Sequence, residues 1–398
     1  MSTTAPVAEK TPPVPPEQEP EDRNPLRMLL VPALSLVAAL FVGGIVIVFS
    51  DPDALRAWAS FFRNPGNALS TSWDLVYDAY YALFKGSLGS SNALSETVVA
   101  ATPLIFGGLS VAIAFRAGLF NIGAEGQILA GSLCAAYVGF TFQDLPAVVH
   151  LPLAVLAGFA GGSLWGFIPG FLKAKTGAHE VIMTIMLNFI ALRFTDFLLT
   201  TTTFQRTGRA DPISKPVAES ARLPSFGDLR INLGIILALA AAALVWWLLF
   251  RSTIGFEFRA VGSNPSAAAY AGMGVGATYV LAMVLAGGLA GLGGTATLLG
   301  IQYSITPGFA GYGFDAIALA LLGRSHPAGV VAAAFLFGVL RAGATGMQAA
   351  TSVPVDIIIV IQALIIVFMA APLLVREIFR IRTRGVIDSD TFSKSWAS

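Results

Sequence analysis

The stretch "TPLIFGGLSVAIAFRAGLFNIGAEGQILAGSLCAAYVGF", residues 102–140, contains two apolar runs joined by a short polar segment. The outer parts of the stretch carry no charged residue, whereas the middle holds Arg116, Asn121, Glu125 and Gln127 among glycines. An apolar run of about 20 residues can cross about 30 Å of hydrocarbon as a helix. The stretch therefore predicts two transmembrane helices that meet at a polar break.

The composition of the whole chain agrees with a membrane protein. Its 398 residues are 55% hydrophobic and only 12% charged, whereas soluble domains carry about 25% charged residues. The apolar runs do not alternate with polar residues, which excludes a transmembrane β-barrel. We therefore expect an all-α polytopic protein embedded in a lipid bilayer. The net charge of +1 gives no indication of nucleic-acid binding, and none is expected.

Nine apolar runs have about the length of a transmembrane helix. They cover residues 29–49, 93–115, 121–141, 149–172, 180–201, 231–250, 278–300, 328–346 and 354–375. A further run at 311–323 is too short to span, which is typical of a re-entrant or tilted half-helix that is buried by protein. We therefore predict a membrane domain over residues 28–376 with about nine to ten transmembrane segments.

The two chain ends differ from this domain in composition. Residues 1–27 are rich in Pro and Glu, which predicts a disordered tail rather than the short basic start of a signal peptide. Residues 377–398 form a basic tail. The distribution of Lys and Arg among the loops predicts that both tails are cytoplasmic. The loop at 202–230 argues the other way, since it is assigned to the outside and yet carries several basic residues.

Small residues occur within the apolar runs. Gly158 and Gly162, and likewise Gly287 and Gly291, have the spacing that lets two helix backbones approach closely. We therefore expect these glycines to serve helix packing. Cys134 is the single cysteine of the chain, so an intrachain disulfide is impossible, and a buried small apolar residue is the expected role.

Two catalytic motifs are absent from the sequence. No G-x-x-x-x-G-K-[ST] motif occurs, so the chain has no phosphate-binding loop of that kind. The segment "HEVIM" at 179–183 lacks the second histidine of a zinc hydrolase motif. We therefore expect neither an enzyme nor a cofactor.

The loop at 251–277 contains signals for a short helix. Asn264 can cap free N–H groups, Pro265 suits the first helical position, and Gly272 can end the helix after a run of alanines. A short helix in such a loop is either a docking element or an ordinary connection that caps well. Capping signals mark helix ends and do not decide between these two alternatives.

Several segments, taken together and in order, resemble a known family. They read "NIGAEGQ", "HEVIMTIMLN", "FRAVGSNPSAAAYAGM", "GYGFDAIALALLGRSHPAGVV" and "VDIIIVIQALIIVF". They are similar to the permease subunits of bacterial ABC importers for nucleosides, within the larger group of ribose and branched-chain amino acid permeases. The similarity covers roughly residues 85–375.

This resemblance implies a passive pathway subunit in the plasma membrane of a bacterium. Its partners would be a second related permease, a cytoplasmic ABC ATPase and an extracytoplasmic substrate-binding lipoprotein, and its substrate a nucleoside-like small solute. The loop at 251–277 would be the cytoplasmic coupling element. The residues implied in coupling are Gly262, Ser263, Asn264, Pro265, Ala268 and Gly272.

The polar break has both a structural and a functional interpretation. Arg116 and Glu125 are close enough in sequence to pair with each other, and we expect that ion pair. Asn121 and Gln127 either satisfy backbone groups freed by the glycines or contact a nucleoside, and Asn188 has the corresponding alternatives. The candidate residues of the substrate path are therefore Asn121, Glu125, Gln127 and Asn188.

Charged residues elsewhere in the apolar runs suggest further contacts. We expect Asp315 and Arg341 to form a buried ion pair between helices, and Glu180 to lie at a helix start, where the helix dipole favours a carboxylate. A secondary active transporter needs its own coupling carboxylate at mid-span. Glu125 and Asp315 keep that alternative open, but the ABC permease is the predicted function.

Overall fold

The computed structural model describes residues 25–309, 311–351 and 353–371. The predicted tails at 1–27 and 377–398 lie outside this part of the chain, except for residues 25–27, which begin the first helix. Within these residues the chain forms fourteen α-helices and no strand; two isolated β-bridges occur in the loop at 202–230 and its boundary with the next helix.

The helices follow one another in this order: α1 (Pro25–Ser50), α2 (Pro52–Ala59), α3 (Pro65–Leu88), α4 (Ser91–Arg116), α5 (Ala124–Thr141), α6 (Ala147–Thr176), α7 (Glu180–Leu199), α8 (Gly234–Arg251), α9 (Thr253–Ser263), α10 (Pro265–Tyr270), α11 (Val275–Thr297), α12 (Gly313–Leu322), α13 (Pro327–Thr351) and α14 (Asp356–Ala370). A π-helical turn, Leu298–Gln302, extends α11. Glu180 is the first residue of α7, as predicted.

Seven of these helices are long and apolar enough to cross a membrane, namely α1, α4, α6, α7, α8, α11 with its π-helical turn, and α13. The apolar helices α12 and α14 are shorter. The predicted class, an all-α polytopic membrane protein, is confirmed. The span predicted at 121–141 begins later than expected, because the polar break delays the start of α5 to Ala124.

The region at 51–84 had no predicted helix, yet it forms α2 and most of α3. The side chain of Asn64 caps α3 by accepting a hydrogen bond from the Asn67 N–H at 3.3 Å. Polar residues interrupt the apolar pattern of α3, and its buried stripe is narrow. The helix packs on α13, where a Cβ atom at position 86 would lie 3.3 Å from the Gly346 Cα. Close packing of small residues therefore stabilises α3, although its sequence has no long apolar run that would predict it.

Helices α6 and α11 form the most closely packed pair of the bundle. They run antiparallel, and their backbones meet at the predicted glycines. A Cβ atom at position 291 would lie 2.5 Å from the Gly158 carbonyl oxygen and 3.0 Å from the Gly162 Cα. Contacts this short leave no room for a side chain, so the predicted packing role of Gly158, Gly162, Gly287 and Gly291 is confirmed.

The loop at 202–230 and the α9–α10 segment lie at opposite ends of the bundle. Leu223 donates its N–H to the Leu299 carbonyl at 2.9 Å, and Ala218 donates to the Gly139 carbonyl at 2.9 Å. Leu299 is at the far end of the long helix that begins directly after α10. We call residues 202–230 the cap. The two loops that were assigned to opposite sides of the membrane are therefore separated by the length of the bundle.

Candidate functional site

The polar stretch of the sequence forms a break between α4 and α5, here called the first break (residues 117–123). After Arg116 the chain turns at Gly118, whose φ is +74°, a conformation that strongly favours glycine. Leu119 donates its N–H back to the Ala114 carbonyl at 2.9 Å. The next helix then starts at Ala124.

Two amide side chains close the first break from within. The Asn121 Nδ2 donates to the Gln127 Oε1 at 3.0 Å, and the Gln127 Nε2 donates to the Asn121 Oδ1 at 3.2 Å. The same Asn121 Oδ1 accepts a hydrogen bond from the Gly123 N–H. Asn121 is 0% exposed and Gln127 is 1% exposed. Each amide therefore satisfies the other in a site without access from outside the chain.

The third amide, Asn188, attaches α7 to the first break. Its Oδ1 accepts a hydrogen bond from the Gly126 N–H at 2.8 Å, and its Nδ2 donates to the Ile122 carbonyl at 2.9 Å. A Cβ atom at position 126 would lie 3.0 Å from the Asn188 Oδ1. The sequence separation of more than sixty residues explains why the spacing of residues gave no sign of this contact.

The expected ion pair between Arg116 and Glu125 does not form. The Arg116 Nε donates to the Ser325 carbonyl at 3.1 Å, and its Nη2 donates to the Arg324 carbonyl at 3.3 Å. The Glu125 Oε2 instead accepts the N–H of Gly313 at 2.7 Å. The prediction was wrong because the first break reverses the chain, so that the end of α4 and the start of α5 face different neighbours.

A second break lies between the π-helical turn and α12, and we call residues 303–312 the second break. The predicted short half-helix at 311–323 is confirmed as α12, which begins at Gly313. Ten helical residues span about 15 Å, half of the hydrocarbon thickness. Pro307, Gly308 and Gly311 of this non-helical segment are exposed.

Charged side chains gather at the second break. Asp315 and Arg341 form the predicted ion pair. The Arg341 Nη2 also donates to the Gly311 carbonyl at 3.1 Å, and its guanidinium lies 4.8 Å from the centre of the Tyr312 ring. The side chains of Asp315 and Arg341 are 23% and 29% exposed. In the described part of the chain no three His, Cys, Asp or Glu residues are placed to hold a metal ion.

The two breaks start at opposite ends of the bundle and approach each other inside it: Gly118 contacts Gly262 at the α9 end, and Tyr303 and Ile305 accept hydrogen bonds from the cap. A Cβ atom at position 107 would lie 3.0 Å from the Ala316 Cβ in the first turn of α12. Gly107 is nine residues before Arg116 at the end of α4, a distance of about 14 Å along the helix. Glu125 and Gly313 then join the first break to the second. The helix starts that follow the two breaks, at Glu125 and Gly313, therefore meet inside the bundle.

An exposed stripe of α5 leads away from this region. Gln127, Cys134 and Thr141 are seven residues apart and share one face of the helix; Gln127 is buried, whereas Cys134, Tyr137 and Thr141 are exposed. The expectation that Cys134 is buried was wrong. The residue of α6 beside its sulfur is Gly161, which has no side chain to cover the thiol.

The stripe ends in an open cavity between α5 and the cap. The cavity has a volume of about 670 Å³ and is lined by Tyr137, Phe140 and Thr141 of α5 together with cap residues that include Arg206 and Lys215. A volume of this size is typical of sites for small molecules. The sequence did not indicate the cavity, because its walls come from segments that are far apart in the chain.

The α9–α10 end has the predicted short helix. The Asn264 Oδ1 accepts the Ala267 N–H at 3.0 Å, Pro265 is at the first helical position, and Gly272 follows the helix with a φ of +85°. Ala268 is buried against the rest of the chain, whereas Tyr270 is 95% exposed. Tyr270 and the other residues around Ala268 therefore form the outward surface of α10.

The end of α9 touches the first break directly. A Cβ atom at position 118 would lie 2.9 Å from the Gly262 Cα, and one at position 262 would lie 2.8 Å from the Gly118 nitrogen. The two backbones are in contact with no side chain between them. If α9 moves, it therefore pushes directly on the segment that contains Asn121. The sequence showed no link between these two regions.

Cationic side chains collect beside this contact. The guanidinium groups of Arg116 and Arg259 each lie 5.5 Å from the centre of the Phe250 ring. The His326 ring packs against the same ring at a tilt of 34°, with 5.3 Å between the ring centres. Burial, and then the positive charge of Arg116, hold the pKa of His326 below its ordinary value. The neutral imidazole is therefore favoured at this position.

Comparison with known proteins agrees with this architecture. A family model described as "Branched-chain amino acid transport system / permease component" matches residues 93–370. The guanosine ABC transporter permease protein NupP of Bacillus subtilis is 39% identical over 90% of this chain and 98% of its own length. The nucleoside ABC transporter permease protein NupB of Lactococcus lactis is 35% identical over 93% of this chain and 98% of its own length.

A third relative is named for a different substrate. The glucose ABC transporter permease protein TsgB13 of Haloferax volcanii is 36% identical over 85% of this chain and 86% of its own length. No solved structure matches the chain. The matches favour an ABC permease over a secondary transporter with its own coupling carboxylate. The chain therefore belongs to the family of branched-chain amino acid transport system permease components and is a permease subunit of an ABC importer.

Proposed function

We propose that this chain forms, with a second related permease, the path by which nucleosides enter a bacterium through its plasma membrane. The observation that carries the proposal is the second break. Non-helical backbone at membrane depth is tolerated only where it is covered by protein or lines a water-filled cavity. Gly311 lies two residues before Gly313, which bonds Glu125 inside the bundle, and it is exposed on this chain. Pro307 and Gly308 are exposed between Gly311 and Ile305, whose backbone bonds Ser214 of the cap. This exposed segment suits a wet path that leads from the cap into the bundle and that a partner subunit completes.

The residues predicted to line the path take two roles in this proposal. Glu125 borders the second break through its bond to Gly313. Asn121, Gln127 and Asn188 lie behind it and hold the first break in shape. The exposed stripe of α5, from Cys134 to Thr141, continues the path towards the cavity at the cap.

The α9–α10 end is the proposed docking site of a cytoplasmic ATPase. Its exposed Tyr270 suits a groove of a partner, since aromatic residues are enriched at the centres of interfaces. The cationic residues Arg116, Arg259 and Arg324 at this end agree with a cytoplasmic side, and both termini would be cytoplasmic too. Gly262 and Gly118 would transmit movement of the ATPase to the first break.

The cap is the proposed outer surface, where a substrate-binding lipoprotein delivers its solute. The cavity between α5 and the cap would receive the solute at the mouth of the path. We infer nucleosides as the substrate class because two similar permeases, NupP and NupB, are named for guanosine and for nucleosides. A sugar is the competing class, because the relative TsgB13 is named for glucose.

The test is uptake by the complete importer in proteoliposomes, assembled from this chain, its partner permease, the ATPase and the binding lipoprotein. We expect uptake of labelled guanosine that requires ATP and is inhibited by other nucleosides more strongly than by glucose. Stronger inhibition by glucose would assign a sugar instead. Uptake that needs an ion gradient and no ATP would overturn the assignment of this chain to an ATP-driven path.

The single cysteine provides a probe of the path. A small membrane-impermeant thiol reagent added from the cap side should modify Cys134 and slow uptake, and the Cys134→Ala variant should be insensitive to it. Substrate delivered by the lipoprotein should protect the thiol. Modification without any effect on uptake would exclude the α5 stripe from the path.

A further inference from the structure

The first turn of α12 presents an aromatic ring at the second break. Phe314 follows Gly313 and is 61% exposed. It lies next in sequence to Asp315 of the ion pair, and three residues after the exposed Gly311. An exposed phenylalanine on a membrane protein usually faces lipid, so the question is which medium this ring meets.

The charges beside Phe314 indicate water rather than lipid. About a quarter of the surface of the Asp315 and Arg341 side chains is exposed. A charged group at mid-membrane is costly in contact with lipid and usually faces a water-filled cavity or the inside of a bundle. The irregular backbone around Gly311 has the same requirement. The part of this surface around Phe314 therefore borders the path, whereas the exposed Leu321 at the far end of the same helix face has apolar surroundings.

Phe41 on α1 has the opposite surroundings. It is 70% exposed, and its neighbours on the same face, Val37, Ile45 and Phe49, are exposed apolar residues. No carboxylate or guanidinium group lies among these residues. Phe41 therefore has the environment of a lipid-facing ring, and it is a matched control for Phe314.

With respect to the part of the chain that the structure describes, the polar groups beside Phe314 retain free hydrogen-bonding capacity. Arg341 uses its Nη2 for Gly311 and Asp315, which leaves the N–H groups on Nε and Nη1 as donors. Asp315 uses one carboxylate oxygen, which leaves the second as an acceptor. An exposed aromatic ring on the same helix turn as an acceptor and its donor partner suits a planar heterocyclic base that carries a sugar with free hydroxyl groups.

We propose that Phe314, Asp315 and Arg341 form a nucleoside-binding site at the middle of the path. The base stacks on the Phe314 ring, while the Asp315 carboxylate accepts hydrogen bonds from the ribose hydroxyls and Arg341 donates to the base. The site rests on the proposed function, because it requires that nucleosides pass through this chain.

The experiment compares three variants in the complete importer. Phe314→Leu removes the ring and should lower the initial rate of guanosine uptake about tenfold, since stacking on an aromatic ring makes a contribution of that order. Phe314→Trp keeps a stacking surface and should retain most of the uptake. Phe41→Leu should transport at the wild-type rate. ATP hydrolysis stimulated by the loaded lipoprotein should be the same in Phe41→Leu as in the wild type.

Fluorescence supplies a readout that does not depend on transport. Guanosine at millimolar concentration should quench the additional emission of Phe314→Trp in the reconstituted complex, and it should leave that of Phe41→Trp unchanged. Absence of quenching, or equal uptake by Phe314→Leu and Phe41→Leu in a complex whose wild type is active, would overturn the site while the proposed function stands. If the wild-type importer transports no nucleoside, the proposed function itself fails.

Discussion

The two breaks of the bundle are built from different chemistry although they touch each other. The first break is closed by neutral amides, and its Asn121 and Gln127 side chains are almost completely buried. Beside the second break lie a carboxylate and a guanidinium, Asp315 of α12 and Arg341 of α13, which stay partly exposed. The bond from Gly313 to Glu125 joins the two breaks.

The difference follows from the cost of removing polar groups from water. A neutral amide can be buried completely if each of its groups is hydrogen-bonded. An ion pair loses much more solvation, and its attraction repays that loss only with favourable geometry and further hydrogen bonds. Amides therefore suit the break that is closed within the chain, and charges suit the break that stays partly exposed.

The largest expected change in stability comes from removing one of the two charges beside the second break. Arg341→Met leaves the Asp315 carboxylate without its partner, and we expect a loss towards the lower end of about 3–5 kcal/mol in the free energy of unfolding, because the pair is not fully buried. Thermal unfolding in detergent measures it.

The matched control is Arg193→Met, because Arg193 and Asp196 form an ion pair that is far more exposed. We expect no measurable loss there, as is common for exposed pairs. The double variant Asp315→Leu with Arg341→Met should recover part of the stability. An equal loss in both arginine variants would contradict the distinction between the two pairs.

A smaller loss is expected at the first break. Gln127→Leu leaves the buried Asn121 amide without its reciprocal partner, which costs about 1–3 kcal/mol. We expect less folded protein in detergent but an unchanged ranking of competing nucleosides in the uptake assay. An altered ranking at normal stability would instead show that the first break contacts the substrate.

The contact between α9 and the first break should govern coupling. Gly262→Ala forces a methyl group against the Gly118 nitrogen, and overpacking of this kind costs about 1–3 kcal/mol. We expect several-fold less solute transported per ATP hydrolysed, with the ATPase still bound. Gly274→Ala is the control, since its added Cβ would make an ordinary contact of 3.6 Å with the Ala277 Cβ. Equal coupling in the two variants would contradict transmission through this contact.

The smallest effect concerns pH. Because burial and Arg116 lower the pKa of His326 in the folded protein, the unfolded chain binds this proton more tightly. Stability should therefore be complete above the ordinary histidine pKa of about 6.5 and should decrease as the pH falls below it. His326→Gln should weaken that dependence below about pH 6.5. If the stability of the variant and that of the wild type depend on pH in the same way, His326 is not the source of the pH dependence.

Local sequence was sufficient for much of the architecture. Apolar runs of helical length indicated the spans that the structure contains, because the hydrocarbon thickness sets their length. Asn264, Pro265 and Gly272 marked a short helix within a few residues, since a cap acts on adjacent N–H groups. A short apolar run indicated the half-helix α12. These features depend on neighbours along the chain, and so they can be read from it.

Contacts between distant segments required the tertiary structure. Glu125 turned away from Arg116 to bond Gly313, a residue 188 positions later, and the packing of α12 against α5 decides that partner. Helix α3 is held by glycines of α13, so its own apolar pattern is too weak to reveal it. Burial, which separates the closed first break from the exposed second one, depends on what every other helix covers. Sequence by itself determined which groups are polar within the apolar runs, and packing decided which of them meet each other and which stay exposed.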